Sequence, residues 1–355
     1  FESILKISLS GDALIQLCLP TSFGGLGIPM PSSLAPAAFA ASCYAAEEGV
    51  RHILGDPSGT VHLLEVAVDE FISRFGNAPP PEDRHEQASW TEVTSKCVLT
   101  ALCERQSHSE VDIIRLAHVS LPEAGWWLQA LPSRNIGTLL TDRDFILAAG
   151  LRLGLPLVHE DQCPCGETID RFGHHRLSCR TLASGRLARH SAVNDLVSRA
   201  LRQAGVGNSK EPRNLSPSDQ LRPDGLTHEP WTRGQQLIWD VSVRDAFAVS
   251  YRGIARNAKG VVAKGEQDKR VKYATLLDDY CLVPFIIDSA GVWGEEALKL
   301  VKVVGSRIAA RNGDKRAASY IRQRIAVEVQ RGNARMISGG IPPSVALREL
   351  SFLSG

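Results

Sequence analysis

Glu211, Asp224 and Asp240 each sit in or beside a short β-type run: Lys-Glu-Pro at 210–212, Arg-Pro-Asp-Gly at 222–225 and Leu-Ile-Trp-Asp-Val-Ser-Val at 237–243. Residues 237–243 alternate, with Leu237, Trp239, Val241 and Val243 on one face and Ile238, Asp240 and Ser242 on the other. A carboxylate on the face opposite an apolar ladder is costly to bury unless something positive binds it. Two or three such groups converging make a hard-oxygen site of the kind magnesium prefers. Cations follow closely, in Ala-Lys-Gly-Glu-Gln-Asp-Lys-Arg-Val-Lys-Tyr at 263–273, which supplies Lys264, Lys269 and Lys272. Taken alone, that stretch is an exposed amphipathic helix braced by Glu266 and Asp268.

A second group of chemical side chains lies upstream. Cys163-Pro-Cys165-Gly166 is followed by His174-His175 and Cys179. A tight Cys-x-Cys turn lets two thiolates reach one ion, and a histidine about one helical turn before a cysteine adds two more ligands, completing a Cys₃His zinc site. His175 stands four before Cys179, the better helical register, and His174 is the near alternative. All four positions would be filled by protein, so this zinc would be structural. Arg171, Arg176, Arg180, Arg186 and Arg189 crowd the same region and suit phosphate contact.

The elements that must position these groups follow from pattern. At 355 residues the chain can hold two or three domains with proper cores. The sequence begins at Phe1, with no signal peptide and no apolar run long enough to cross a bilayer, and reads as a fragment of something longer. Of its eight cysteines, Cys18, Cys43, Cys97, Cys103 and Cys281 fall in apolar contexts, which suits a reducing compartment and one metal site. Gly24-Gly25-Leu26-Gly27-Ile28-Pro29 marks a loop before an alanine-rich helix over 34–48. Leu63, Leu64, Val66, Val68 and Phe71 predict a helix, as do Val93, Cys97, Val98, Ala101 and Leu102 over 91–105. Trp126 and Trp127 suit a core, though they could stack on bases. Thr141 caps a helix through Asp144. Apolar spacing from Val193 to Ala204 predicts a helix from 184 that Gly205 stops, and a helix over 259–278, a strand over 283–287 and basic helices over 295–312 and 315–331 follow. The formal charge of +1 therefore conceals a basic half.

Pro223-Asp224 followed by Asp240 in a second strand resembles the PD-(D/E)XK motif of restriction-like nucleases. Their usual lysine, two residues after the second acid, is missing, because Ser242 occupies that slot. A lysine displaced to a helix ahead of Lys272-Tyr273, with a cysteine–histidine knuckle directly before the core, is similar to the endonuclease region of site-specific non-LTR retrotransposons. Leu19-Pro20, the glycine loop and the Ala124–Ser133 stretch resemble the segments between polymerase and endonuclease in such elements, and Arg189-His190 the opening of the nuclease domain.

The resemblance implies an α/β restriction-endonuclease-like core preceded by a mainly α-helical linker and a small zinc knuckle. Its parts would be a post-polymerase segment (1–55), a helical linker (56–160), a CCHC knuckle (161–182) and an endonuclease domain with a basic tail (183–355). It implies a magnesium-dependent DNA endonuclease, nuclear, acting on target DNA and tied to the element's RNA through a parent polyprotein, with no membrane partner. Cleavage would leave a 3′-hydroxyl for a reverse transcriptase to extend. Asp224, Asp240 and the backbone carbonyl after Asp240 would hold magnesium, with Glu211 close by. Lys269, or failing that Lys264, would stabilise charge on the phosphate, and Tyr273 would hold a phosphate or the lysine. Arg189, Arg176, Arg180, Arg186, Lys264 and Lys272 would contact nucleic acid. The competing expectation is a catalytically inactive nucleic-acid-binding remnant.

Overall fold

The computed structural model describes residues 2–5, 8–55, 57–105, 109–215 and 221–339. The expectations for residues 340–355 and for the Leu63 side chain lie outside the described residues. The chain divides into two compact units, one of Ser10–His108 and one of Phe1–Leu9 with Ser109–Gly355. A short helix α1 (Glu2–Leu5) belongs to the latter.

Four helices build the Ser10–His108 unit: α2 (Gly11–Cys18), α3 (Pro31–Leu54), α4 (Pro57–Phe75) and α5 (Gln87–Cys103). Its core joins Ala37, Ala40 and Ala41 of α3, Val68 and Phe71 of α4 and Trp90 of α5. Small alanines let α3 approach closely, and Phe71 meets Trp90 edge-on at 4.7 Å between centroids. The predicted inner face of α5 needs correcting. Trp90, Thr94, Ser95 and Leu102 point inward, whereas Cys97 is exposed. The Trp90 indole, donating to the Arg84 carbonyl at 2.6 Å, sets the rotation of the helix. Val66, also expected inside, is exposed.

In the larger unit the chain runs through α6 (Glu110–Val119), a 3₁₀ segment Pro122–Gln129 and α7 (Asp142–Leu153). The Thr141 side chain accepts from the Asp144 N–H, capping α7 as its sequence implies. A two-stranded ribbon, β1 (Asp161–Gln162) and β2 (Thr168–Ile169), leads to α8 (His174–Ser178). Then come α9 (Ala183–Gln203), β3 (Asn208–Lys210), β4 (Gly225–Thr232) and β5 (Gln235–Arg244). A crossover through α10 (Arg252–Ala255) and α11 (Gly260–Lys272) reaches β6 (Tyr280–Asp288), and α12 (Glu295–Asn312) and α13 (Ala317–Ile337) close the chain.

The sheet order is β3-β4-β5-β6, antiparallel except for the parallel β5–β6 pair, which aligns Asp240 with Pro284. Pro284 is tolerated because β6 lies at the sheet edge, where a missing N–H breaks no second ladder. Both faces are covered. Leu237, Trp239 and Val241 of β5, with Val283, Phe285 and Ile287 of β6, pack on α9, α12 and α13. Ile238 packs with Tyr273, Leu276 and Leu282, and Ile286 with Val262. The alternation expected for residues 237–243 therefore holds, and its second face is covered by the crossover segment. Trp126 and Trp127 are framework residues: Trp126 packs on Trp293 at 5.4 Å beneath the Arg322 guanidinium, and Trp127 is buried against Phe145.

Candidate metal centre and candidate active site

The cysteine–histidine cluster assembles where the β1–β2 ribbon meets α8. The Cys163 N–H bonds to the Glu167 carbonyl and the Gly166 N–H returns to the Cys163 carbonyl, folding residues 163–167 into a tight turn. Gly166 has φ +94°, which a side chain would disfavour. The Asp170 carboxylate accepts from the N–H groups of Phe172, His174 and His175, fixing the start of α8. Ligand atoms of Cys163, Cys165, His175 and Cys179 all lie within 4.8 Å of one another. Cys163 Sγ is 3.4 Å from Cys179 Sγ, and Cys165 Sγ is 3.3 Å from His175 Nε2. Tetrahedral zinc with sulfur and nitrogen bonds near 2.3 and 2.0 Å spaces its ligands by roughly 3.5–3.8 Å, so this donor set fits such an ion. The Cys165 backbone and the Thr181 hydroxyl pull the Cys163 thiol down to about 7, toward the thiolate a metal needs.

His174, the alternative ligand, faces elsewhere. Its ring lies between Phe172 and Phe247, with Nδ1 3.5 Å from Asp170, and burial pushes its pKa down to about 4. The choice between the two histidines thus falls to His175, one helical turn before Cys179.

The carboxylates lie beside the middle of α9. Asp224 immediately precedes β4, and its N–H donates to the Trp239 carbonyl at 2.9 Å. A Cβ on Gly225 would stand 1.9 Å from the Trp239 indole, so the glycine of Arg-Pro-Asp-Gly is what lets this ring lie flat against the hairpin. One Asp224 oxygen accepts from the Val241 N–H at 2.6 Å and pairs with His190 Nε2 at 2.9 Å. Asn194, one turn further along α9, accepts from the Trp239 indole and donates to the Asp224 carbonyl.

Asp240, on β5 and nearly fully buried, is gripped from α11. Lys269 Nζ pairs with its Oδ1, the Tyr273 hydroxyl donates to its Oδ2, and Lys272 Nζ stands 3.5 Å from Oδ2. Burial, then the Asp240 charge and hydrogen bond, then the Asp224 charge push the Tyr273 phenol well above its usual range. The hydrogen bond with Asp224 is the largest influence on His190 and raises its pKa against burial, with Asp240 adding to the rise and Lys269 opposing it. His190 and Tyr273 therefore each feel the charge of both aspartates.

The chain matches no family model and no curated protein.

Several expected residues sit elsewhere. Arg189 is 3% exposed and bonds to Asn333 and, at 3.3 Å, to the Val243 carbonyl, which corrects its expected phosphate contact. A buried guanidinium spent on tying α9 to α13 and β5 does not reach a backbone phosphate. Arg176 likewise donates to the Ile337 carbonyl, and Arg186 is half-buried, while Arg180 is exposed. Lys264 pairs with Asp268 on its own helix, away from the carboxylates. Glu211 joins the site only through its N–H, bonded to the Asp224 carbonyl at 3.0 Å, and its side chain is exposed. His190 and Asn194 are participants the sequence reading left without a role. Their signal is a polar i, i+4 pair bordering the apolar stripe of α9.

Proposed function

We propose that the larger unit is a metal-dependent DNA endonuclease of the PD-(D/E)XK type, from a protein like those of non-LTR retrotransposons. The observation that carries this reading is Lys269. The crossover helix delivers its ammonium to Asp240, supplying from α11 the cation that Ser242 does not provide on β5. A helix, an antiparallel hairpin bearing two aspartates and a parallel strand reached through a lysine-bearing helix form the order expected of a restriction-like core.

Asp224 and Asp240, whose charges both bear on Tyr273 and His190, are carboxylates of the type magnesium takes. Magnesium held by Asp224 and Asp240 would supply polarisation of a phosphodiester and a lowered pKa for bound water. His190 and the Val241 N–H hold the Asp224 carboxylate in one orientation. Tyr273, itself bonded to the Arg222 carbonyl at 2.9 Å, holds Asp240. The Lys269 ammonium, 17% exposed, faces developing negative charge from a site largely shielded from water. The basic α12–α13 region suits backbone contact without sequence reading.

The test is nicking of supercoiled plasmid with magnesium, comparing the wild type with Asp224→Ala and Asp240→Ala. Loss of cleavage in both variants supports the enzyme. Equal cleavage in all three removes it, and no cleavage in any, with DNA still bound, leaves the nucleic-acid-binding remnant.

A further inference from the structure

Helix α9 carries a second functional face. Arg199 stands nine positions after His190, about two and a half turns on, and so looks away from the carboxylates. There a cleft of about 370 Å³ opens between α9, α13 and the loop after Pro132, lined by Arg134, Arg199, Arg324, Gln203 and Tyr320. No carboxylate lines it. Arg134 and Arg199 are exposed, and among the described residues neither is ion-paired. Arg324 bonds to Glu328 at 2.8 Å, but Arg331 uses the same Glu328 oxygen, so one acid answers two guanidiniums.

The cleft is also held in shape. Arg331 donates to the carbonyls of Gly137 (3.0 Å) and Leu139 (2.9 Å), and the Tyr320 hydroxyl to that of Ile136 (3.2 Å). Gly137 has φ +73°, and the Arg324 guanidinium occupies the space a Cβ would need. This pins the loop to α13, so that Arg134 and Arg199 line one cleft. Beside the cations lie Ile136 and Leu196, giving an apolar wall next to the aromatic ring.

We propose that this cleft binds a nucleotide, taking its phosphate between Arg134 and Arg199 and its base against Tyr320, Ile136 and Leu196. A surplus of guanidinium charge selects the phosphate, and the volume, at the small end of ligand pockets, suits one nucleotide. The proposal does not rest on the nuclease reading, since the cleft shares no side chain with the carboxylate site.

The test uses the full chain with its zinc retained, in buffer without magnesium, so that cleavage plays no part. Calorimetric titration with deoxyadenosine monophosphate should show binding, and deoxyadenosine should bind at least about tenfold more weakly. Arg134→Ala and Arg199→Ala, both at exposed positions and checked for folding by circular dichroism, should each weaken monophosphate binding by about tenfold. Competition against a labelled twelve-nucleotide single strand identifies the source: displacement means that the cleft seats a strand, and binding without displacement means that it seats a free nucleotide. Equal affinity for nucleoside and monophosphate, or unchanged affinity in both variants, overturns the proposal.

Discussion

Lys269 and Tyr273, the residue that caps α11, stand one turn apart and end on opposite oxygens of Asp240, whereas Lys264, five residues before Lys269, is spent on Asp268. On the proposed function, Lys269→Met should lower nicking by about 10²–10³-fold, the usual loss for removing a charge-stabilising donor. Lys264→Met should change it by no more than about twofold, as for an exposed ion pair. Initial rates on one plasmid preparation check both, and equal losses would refute the assignment of the lysine. Gly225 makes a second demand at this scale. Gly225→Ala drives a methyl into the Trp239 ring and should cost about 1–3 kcal/mol, read from urea unfolding. Asp240 was legible because it interrupts a strand pattern, whereas Asp224 and Lys269 were singled out by the family resemblance and by no local pattern. His190 was not, because a histidine beside an arginine on a helix gives no hint of which one turns inward.

Among the elements, α6, α10 and β6 meet at a buried polar contact. His118 Nδ1 lies 2.6 Å from Asp288 Oδ2 and Nε2 lies 2.8 Å from the Ala255 carbonyl, with both side chains fully buried. Burial opposes charge on the imidazole, and Lys259 opposes it further, but the charge and hydrogen bond of Asp288 together with the Ala255 carbonyl outweigh them and raise the His118 pKa. A raised folded-state pKa gives stability that is fully present below the unfolded value near 6.5 and fades as pH climbs through the folded value. The melting temperature of the wild type should therefore exceed that of His118→Gln most below pH 6.5, with the gap narrowing on the alkaline side. A gap that stays constant or widens toward alkaline pH would show that the pair is neutral in the fold. This contact joins residues 170 positions apart, and no local pattern in the sequence announces it. The longer helices and β5, by contrast, are written in periodicity, with ends missed by up to six residues, while β4 was implied only by the family resemblance. The lysine-rich helix stops at Lys272 because the chain tightens into a 3₁₀ turn over Ala274–Leu276.

On the scale of the whole molecule, the metal centre is fastened to the larger unit by α8, whose Arg176 reaches the end of α13 at Ile337. Cys165→Ser should abolish zinc binding, measured as metal per chain by mass spectrometry, and lower the thermal midpoint, because a structural metal site contributes its binding energy to folding. Zinc retained by that variant would exclude the four-ligand site. Removing residues 1–108, which takes away the Ser10–His108 unit and α1, should leave zinc content and nicking in place if the larger unit is self-sufficient. Among the described residues no helix is long and apolar enough to cross a membrane. The division of the chain was less legible than its elements, since a boundary depends on which helices share a core, and Trp90 and Phe71 declare that only in three dimensions.

The parallel pairing of β5 with β6 has a consequence for synthesis. A nascent chain can close the β4–β5 hairpin as soon as it emerges, but α11 packs mainly on β6, which follows it in the chain. Until β6 is made the two acids lack their lysine, and the sheet lacks the strand that covers one edge. On the proposed function, cutting would begin only once that distant strand is in place.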